Sequence, residues 1–270
     1  MIVRAVKSIL RRVGVDIVRY RLPMPRYELK DSLSLLGAFR DVATLVANDE
    51  AAKFLDFCAM SYRSSKAQLF QDLFVQFELG QKHGGFFVEF GATNGIDLSN
   101  TYALEKCHAW NGILAEPAAC WHDALRRNRN CRLDFRCVWD RDNEQLQFNQ
   151  VADAELSTVN SFSASDLHAK TRREGSVYTV GTVSLNSLLA ENNAPKQIDY
   201  LSVDTAGSEL KILSAFDFRN YKISVITVEH NYTKDREEIY SLLRSNGFIR
   251  KFEIFSQWDD WYVAEHVRTQ

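Results

Sequence analysis

The sequence predicts an α/β fold built around a mostly parallel β-sheet, and three apolar runs support this prediction. Phe86–Phe90 is apolar except for Glu89 and leads into a loop that contains glycines. Gly112–Ala115 and Ile198–Val203 are similar runs, and each is followed at once by an acid. Continuous apolar runs of this kind are typical of strands buried on both faces of a parallel sheet. We therefore expect several carboxylates at one edge of the sheet, where open α/β folds bind small ligands.

Other runs complete a predicted sheet of seven strands. They are Leu133–Val138, which ends at Trp139, Ile223–Val228, which ends in Glu229 and His230, and the two strands of a final antiparallel hairpin, Phe248–Phe255 and Asp260–Ala264. The helices lie before and between these strands. The apolar spacing and end signals predict them at about Asp31–Ala47, Asp49–Met60, Lys66–Leu79, Ser184–Glu191, Gly207–Leu213 and Lys234–Asn246. Gly247 is the expected C-terminal cap of the last helix.

The loop after the first strand indicates what kind of ligand the sheet edge binds. Gly91 and Gly95 permit positive φ and let backbone amides approach a ligand closely. The loop lacks the lysine of a G-x-x-x-x-G-K-[ST] phosphate site and the full G-x-G-x-x-G dinucleotide fingerprint. Glu89 would also repel a pyrophosphate. A cationic cofactor without phosphate fits better, and S-adenosylmethionine, with its ammonium and sulfonium groups, is the candidate.

The end of the second strand supports a nucleoside cofactor. Glu116 follows this strand about 25 residues after Gly91, a position that suits hydrogen bonds to ribose hydroxyls. Pro117 suits the first position of a helix. An alternative reading of Glu116 is an ordinary acid at a helix entry, favoured by the helix dipole.

These motifs resemble the FkbM-type S-adenosylmethionine-dependent methyltransferases. The matching stretches are Ala67–Val75, Phe86–Lys106, Asn111–Pro117, Ile198–Leu213 and Ile226–Thr233, within about residues 60 to 265. One departure is Thr205–Ala206–Gly207–Ser208–Glu209, because the family often has V-E-G-x-E there. Ala206 thus stands where a glutamate is common.

The resemblance implies a Rossmann-like class I methyltransferase sheet and O-methylation of a sugar hydroxyl in a glycan, glycolipid or secondary metabolite, as in polysaccharide biosynthesis. It implies that Gln68 and Asp72, one helical turn apart, border the cofactor loop. An aromatic at the end of the third strand could stack near adenine. The expected cofactor-binding residues are Glu89, Gly91, Ala92, Thr93, Asn94, Gly95, Asn100, Glu116, Pro117, Trp139, Gln68 and Asp72.

Asp204, Glu229 and His230 are the expected catalytic residues, because parallel strands bring their ends to one edge. A hydroxyl acceptor must lose its proton, and His230 is a candidate base because histidine titrates near neutrality. Asp204 would orient the base or bind the hydroxyl. Alternatively, Asp204 and Glu229 hold a divalent cation such as Mg²⁺, which prefers oxygen ligands. Residues 151 to 176 lack periodicity, and such long loops often cover substrates, so we expect them over the acceptor.

Composition agrees with an enzyme domain. The net charge of −2 argues against a nucleic-acid-binding surface over the whole protein. Five cysteines without a C-x-x-C pair indicate reduced thiols and a cytoplasmic protein, and no run of 18 apolar residues would span a membrane.

The N-terminal segment departs from this even charge. Residues 1 to 30 carry eight basic and two acidic side chains, a net charge of +6. Residues 2–13 have an amphipathic helical pattern, which suits peripheral contact with the inner membrane surface or, alternatively, docking on the protein itself or on a homodimer partner. Pro23 and Pro25 mark a linker. We therefore divide the chain into an extension, residues 1–60, and a methyltransferase domain, residues 61–270.

Two other functions are compatible with parts of this pattern. A non-catalytic scaffold protein could keep the cofactor site, since a fold does not guarantee activity. A nicotinamide-dependent oxidoreductase would share Glu116 and the sheet but needs the phosphate-binding glycines that this chain lacks.

Overall fold

The computed structural model describes residues 37, 41, 49–164 and 168–267. The chain divides into two units at the boundary between Met60 and Ser61. In the first unit, helix α1 (Glu50–Ser61) buries one apolar stripe that includes Phe54 and Cys58. The predicted helices at 2–13 and 31–47 lie outside the described residues, apart from residues 37 and 41. Among the helices described, none has the length and apolar character needed to cross a membrane.

The second unit is built on a seven-stranded sheet within the described residues. Its strands, in chain order, are β1 (Phe86–Phe90), β2 (Asn111–Ala115), β3 (Arg132–Asp134), β8 (Gln197–Val203), β9 (Lys222–Glu229), β10 (Phe248–Lys251) and β11 (Asp259–Ala264). They lie side by side in the order β10-β11-β9-β8-β1-β2-β3, and all pairs are parallel except those that β11 makes with β9 and β10. The predicted Rossmann-like sheet with a C-terminal antiparallel hairpin is therefore confirmed.

Helices cover both faces of this sheet, and local signals set several of their ends. They are α2 (Gln71–Glu78), α3 (Tyr102–His108), α4 (His122–Asn128), α5 (Leu185–Glu191), α6 (Glu209–Ser214), α7 (Arg236–Ser245) and α8 (Glu253–Ser256). As predicted, Ser184 caps α5, because its hydroxyl accepts a hydrogen bond from the Ser187 amide at 3.1 Å. The main core consists of apolar side chains from β1, β8 and β9 and from the helices that pack on them.

A second sheet of four strands was not predicted. Its strands are β4 (Cys137–Trp139), β5 (Gln145–Gln150), β6 (Thr158–Val159) and β7 (Ser176–Ser184), in the order β4-β7-β5-β6. The predicted third strand is therefore wrong as one element: β3 ends at Asp134 in the main sheet, and Trp139 belongs to the second sheet. The segment 151–176 contains β6 and short 3₁₀ turns, so it is more ordered than the predicted loop.

Two further boundaries differ from the prediction. The helix expected from Lys66 begins only at Gln71, because Phe70 at its start has a left-handed backbone with φ of 63°. Gln68 is therefore in a turn, and Gln68 and Asp72 do not share a helical face. The hairpin strand expected to reach Phe255 ends at Lys251, and helix α8 follows it.

Candidate active site

The sheet reverses its strand order between β1 and β8, and this is the point at which open α/β sheets bind ligands. Gly91 follows β1 and has φ of 70°. A Cβ atom at this position would overlap the backbone carbonyl oxygen of Asp204, which follows β8. The two strand ends are thus in direct backbone contact, and only glycine allows this approach.

Glu89 holds the second half of the cofactor loop, residues 91–100, in place. Its carboxylate accepts hydrogen bonds from the Asn100 amide at 2.8 Å and from the Ser99 hydroxyl at 3.1 Å, and also from the Thr101 hydroxyl. The buried Arg129 guanidinium lies 3.8 Å away. Burial raises the pKa of Glu89, while Arg129 opposes this shift. Glu89 therefore shapes the loop, and its predicted direct contact with the cofactor stays a prediction.

Asn100 combines a loop-holding contact with an unused group. Its side-chain amide donates to the Ser202 hydroxyl at 2.9 Å. Its side-chain oxygen is buried and has no hydrogen-bond partner within the described part of the chain. A buried acceptor without a donor is costly, so this oxygen is suited to a donor group on a ligand.

Glu116 closes the other side of the loop. Its two carboxylate oxygens accept from the Thr93 amide at 2.8 Å and from the Ala118 amide at 2.7 Å. The side chain is buried, and this burial raises the pKa of Glu116 to about 7. A carboxylate accepts up to about four hydrogen bonds, so Glu116 retains capacity for ligand hydroxyls.

Three carboxyl groups form an acidic edge next to the switch point. We call Asp204, Glu229 and Asp259 the acid edge. Asp259 is the register partner of Glu229, and Asp204 directly follows Val203, whose partner Val228 precedes Glu229.

The acid edge carries groups that favour a bound proton. Burial raises the pKa of Asp204 to about 7, and it raises the pKa of Glu229 and of Asp259 well above the usual range. Glu229 Oε2 is shielded from solvent and has no donor among the described residues. Asp204 and Glu229 also form a hydrogen bond with each other, which requires that one of the two carboxyl groups is protonated. Two adjacent acids of this kind can accept a proton from a ligand.

The loop after Asp204 is held by its own residues. Glu209 accepts hydrogen bonds from the amides of Thr205 and Gly207 at 2.9 and 3.0 Å. Ala206, in the position where a glutamate is common, has a left-handed backbone with φ of 56°. The loop therefore keeps its shape without a carboxylate at Ala206, because Glu209 supplies the contacts.

The sequence of this region identifies the family. Residues 89–252 match the family model described as "Methyltransferase FkbM domain". The chain belongs to the FkbM methyltransferase family. Curated protein sequences give no significant match to it.

Among solved structures, this chain shows a distant similarity to several methyltransferases. An FkbM methyltransferase from Methylobacillus flagellatus KT is 14% identical, with a TM-score of 0.44, over 95% of this chain and 65% of that chain. The precorrin-6y C5,15-methyltransferase from Geobacter metallireducens GS-15 is 12% identical, with a TM-score of 0.38, over 67% of this chain and 71% of that chain.

Within the FkbM domain, His230 does not join Asp204 and Glu229. Its Nδ1 atom accepts a hydrogen bond from the Tyr232 amide at 3.0 Å, and its Nε2 atom lies 3.7 Å from Asp260. Burial lowers the pKa of His230 to about 4. The ring therefore faces the Asp260 side, and a weakly basic imidazole whose Nδ1 atom is already occupied is a poor proton acceptor. The role of His230 as the base therefore has no support from these contacts and stays a prediction.

Trp139 does not lie at the end of a main-sheet strand. It is 4% exposed and packs in a small core with Ala118, Phe148 and Val159, and the Lys211 ammonium lies 4.1 Å from its ring. The side chain that follows β3 is Phe135. Its ring centroid is 4.1 Å from that of His122, whose Nε2 atom lies 3.0 Å from the Glu116 carbonyl oxygen. Phe135 directly follows Asp134, whose carbonyl accepts a hydrogen bond from the Glu116 amide at 3.0 Å, so Phe135 lies near Glu116. The predicted contact of Trp139 with adenine stays a prediction.

We expect the Phe135→Ala variant to bind an adenine-containing cofactor about tenfold more weakly, since a base–aromatic contact contributes about 1–3 kcal/mol. Phe218→Ala is the matched control, because Phe218 is also half-buried but packs on Phe216 and Phe248 in the main core. Isothermal titration calorimetry measures both affinities. Equal affinities of the two variants would contradict the assignment of Phe135.

The second sheet meets the FkbM site at the loop after Asp204. The Thr158 hydroxyl donates to the Ala206 carbonyl at 3.0 Å, and Phe162 lies against Gly207. Residues 158–162 therefore lie beside the loop that follows Asp204, and the predicted location of the 151–176 segment over the acceptor stays a prediction.

Sequence reasoning missed Asp259 and Gln71. An antiparallel last strand begins at the edge where the parallel strands end, so the predicted hairpin itself indicated Asp259. Gln71 lies in the family-like stretch Ala67–Val75, from which only Gln68 and Asp72 were predicted as site residues.

For the predicted cation, no group of three or more His, Cys, Asp or Glu side chains in residues 49–164 and 168–267 could hold a metal ion. A cation on Asp204 and Glu229 alone stays a prediction.

Proposed function

We propose that this protein is an S-adenosylmethionine-dependent O-methyltransferase that acts on a sugar hydroxyl. The observation that supports it best is Glu116, a buried carboxylate that closes a glycine loop at the switch point of the sheet. Other groups around the loop also suit a cationic cofactor. Asn100 offers an unsatisfied oxygen to an ammonium donor, and the acids around the loop favour positive charge.

When bound, S-adenosylmethionine supplies an electrophilic methyl group on a sulfonium. The side chains of this protein would hold its ribose at Glu116, its ammonium near Asn100 and its adenine near Phe135. No lysine of a phosphate-binding motif is present in the loop sequence, so the loop does not suit a dinucleotide. The chain's own residues thus position the methyl donor, and correct positioning is a large part of methyl-transfer catalysis.

The acid edge would receive the proton of the acceptor hydroxyl. Asp204 and Glu229 are adjacent, and at neutral pH the pair can hold one proton and accept another. The acceptor hydroxyl would donate to this pair as its oxygen gains the methyl group. His230 is not needed for this step.

An exposed aromatic residue next to Gln71 in the chain supports a sugar as the acceptor. Phe70 is 39% exposed and precedes Gln71, which contacts Asp259. Sugars offer apolar C–H faces to aromatic rings and hydroxyl donors to carboxylates.

Calorimetry with S-adenosylmethionine and with NAD tests the cofactor. We expect micromolar binding of S-adenosylmethionine and none of NAD. Binding of NAD alone would favour an oxidoreductase. Absence of binding of either cofactor at millimolar concentration would overturn the proposed function.

The Glu116→Gln variant is expected to bind S-adenosylmethionine about ten- to hundredfold more weakly, because hydrogen bonds to a charged group contribute about 1.5–3 kcal/mol. In the native protein, the affinity should rise about tenfold between pH 6 and pH 8. The reason is that the pKa of Glu116 is about 7 and the ionised form is the better acceptor of ribose hydroxyls. The same titration of the Glu116→Gln variant should show a smaller change, and an equal change would exclude Glu116 as its source.

Transfer of a labelled methyl group from S-adenosylmethionine tests the acceptor. The panel contains monosaccharides, isolated glycans and amines. We expect label in sugar methyl ethers and a loss of transfer in the Asp204→Asn variant with cofactor affinity retained. Label found only on nitrogen acceptors would contradict O-methylation.

A further inference from the structure

The buried side chain of Gln71 makes two hydrogen bonds with residues outside its own helix. Gln71 is 2% exposed and opens helix α2. Its amide nitrogen donates to Asp259 Oδ2 at 2.7 Å, across 188 residues of sequence. Its amide oxygen accepts from the Leu69 backbone at 2.8 Å. Both polar atoms are therefore engaged in fixed directions.

The hydrogen bond with Leu69 connects Gln71 to residues 65–70, which we call the strap. Ala67 of the strap forms an isolated parallel bridge with Leu98 of the cofactor loop. Asp72 fastens the beginning of the strap, because its carboxylate accepts from the Ser65 hydroxyl at 2.6 Å and from the Lys66 amide at 3.3 Å. Asp72 thus holds the beginning of the strap, and Gln71 holds its end through Leu69. The strap also lies against the loop that would bind the cofactor.

The hydrogen bond with Asp259 connects Gln71 to the acid edge. Asp259 is 4% exposed and lies opposite Glu229. The charged groups that act on it, Asp204, Asp260 and Glu209, are all acidic, so they repel its carboxylate. The Gln71 amide donates to this carboxyl group and so fixes its orientation.

We propose that Gln71 is a positioning residue of the methyl-transfer site, which orients Asp259 on the acceptor side and fastens the strap on the cofactor side. This inference rests on the proposed function. One side chain then sets both halves of the site: a strap displaced from the cofactor loop also releases Asp259. Gln71 does not touch the reacting atoms and acts through Asp259 and Leu69.

The experiment exchanges the partners of this hydrogen bond in the full chain. Gln71→Met keeps an unbranched side chain of similar length but removes both polar contacts. The double variant Gln71→Glu/Asp259→Asn inverts the pair, because the new carboxylate accepts from the new amide and still accepts from Leu69. Asp259→Asn alone and Gln147→Met, at an exposed strand position of the second sheet, are the controls.

Two measurements are made on each variant. Stopped-flow tryptophan fluorescence gives the dissociation rate of S-adenosylhomocysteine, and hydrogen exchange with and without this ligand gives the protection of residues 65–70. We expect Gln71→Met to raise the dissociation rate about tenfold and to expose the strap, as loss of one partner of a buried hydrogen bond implies. The double variant should return to within about twofold of the native rate.

An unchanged dissociation rate in Gln71→Met overturns the inference. So does faster exchange that affects all segments equally, or a double variant no better than Gln71→Met. A native protein that binds neither S-adenosylmethionine nor S-adenosylhomocysteine overturns the proposed function instead. The ligand-free exchange data still decide in that case whether Gln71 fastens the strap.

Discussion

Replacing Glu229 by glutamine is expected to raise the melting temperature at pH 8 and to flatten its dependence on pH. Glu229 is one of three carboxyls of the acid edge, and burial followed by the Asp204 charge raises its pKa well above the usual range. Glutamine has the same shape, carries no charge and can donate to Asp204. The substitution therefore removes repulsion without opening a cavity.

The direction follows from proton linkage. A carboxyl whose pKa is higher in the folded than in the unfolded protein binds protons on folding, so the free energy of unfolding falls as the pH rises between the two values. For Glu116, with its pKa raised from 4.5 to about 7, this fall amounts to about 3 kcal/mol. Asp204 adds a fall in the same window, since its pKa is also about 7.

His230 acts in the opposite sense but at lower pH. Its pKa is lowered from 6.5 to about 4, so the unfolded protein binds more protons at this site between these two pH values. The stabilising contribution of His230 to the free energy of unfolding is therefore complete above pH 6.5 and is lost as the pH falls towards 4. The window from pH 6.5 to 8 therefore reports the last part of the fall due to Glu116 and Asp204 and the fall due to Glu229, whose pKa is raised further.

Thermal and urea unfolding at pH 6.5, 7 and 8 measure the effect. The control is Glu238→Gln, an exposed acid on helix α7. A native protein whose free energy of unfolding does not fall over this window would contradict the protonated acid edge. So would a Glu229→Gln variant with the same slope as Glu238→Gln.

Replacing Gly91 by alanine is expected to abolish cofactor binding and to destabilise the domain by at least about 3 kcal/mol. Two costs combine. A left-handed backbone is unfavourable for alanine by about 1–2 kcal/mol, and the new Cβ would overlap the Asp204 carbonyl oxygen. Relief of the overlap requires that the ends of β1 and β8 move apart, which opens the switch point.

Gly80→Ala separates these two costs. Gly80 has φ of 61°, close to that of Gly91, but no atom lies within 4 Å of its added Cβ. This variant should lose only the backbone term of about 1–2 kcal/mol and keep native cofactor affinity. Urea unfolding and calorimetry measure both variants. Similar losses in the two variants would show that contact between the strand ends is unimportant.

The sequence predicts the strands and the glycine loop at the switch point because their signals are local. Apolar runs, the acids that end them and the glycines of the loop lie within about 30 residues of one another. The family resemblance then adds the cofactor. Glu116 is an example: its position after an apolar run is readable from the chain, and the structure adds its hydrogen bonds to Thr93 and Ala118.

The parts that were not predicted depend on distant contacts. Strand β7 pairs with β5 about 30 residues earlier, and each strand begins with mainly exposed positions and has no strong apolar run. The orientation of His230 is set by Asp260 and Tyr232 rather than by its place after β9. Gln71 meets Asp259 across nearly the whole domain. No local pattern contains such information.

The strand order has a consequence for folding. The segment from β1 to Phe135, just after β3, contains Gly91 and Glu116 as well and spans 50 residues, so its contacts are short in sequence. Loops this short close at small entropic cost, so this segment is expected to fold early, even during synthesis. The acid edge is complete only when β11, the last strand, joins β9. The half of the site that binds the methyl donor therefore forms first, and the mutually repelling carboxyls come together last, on a sheet that is already built.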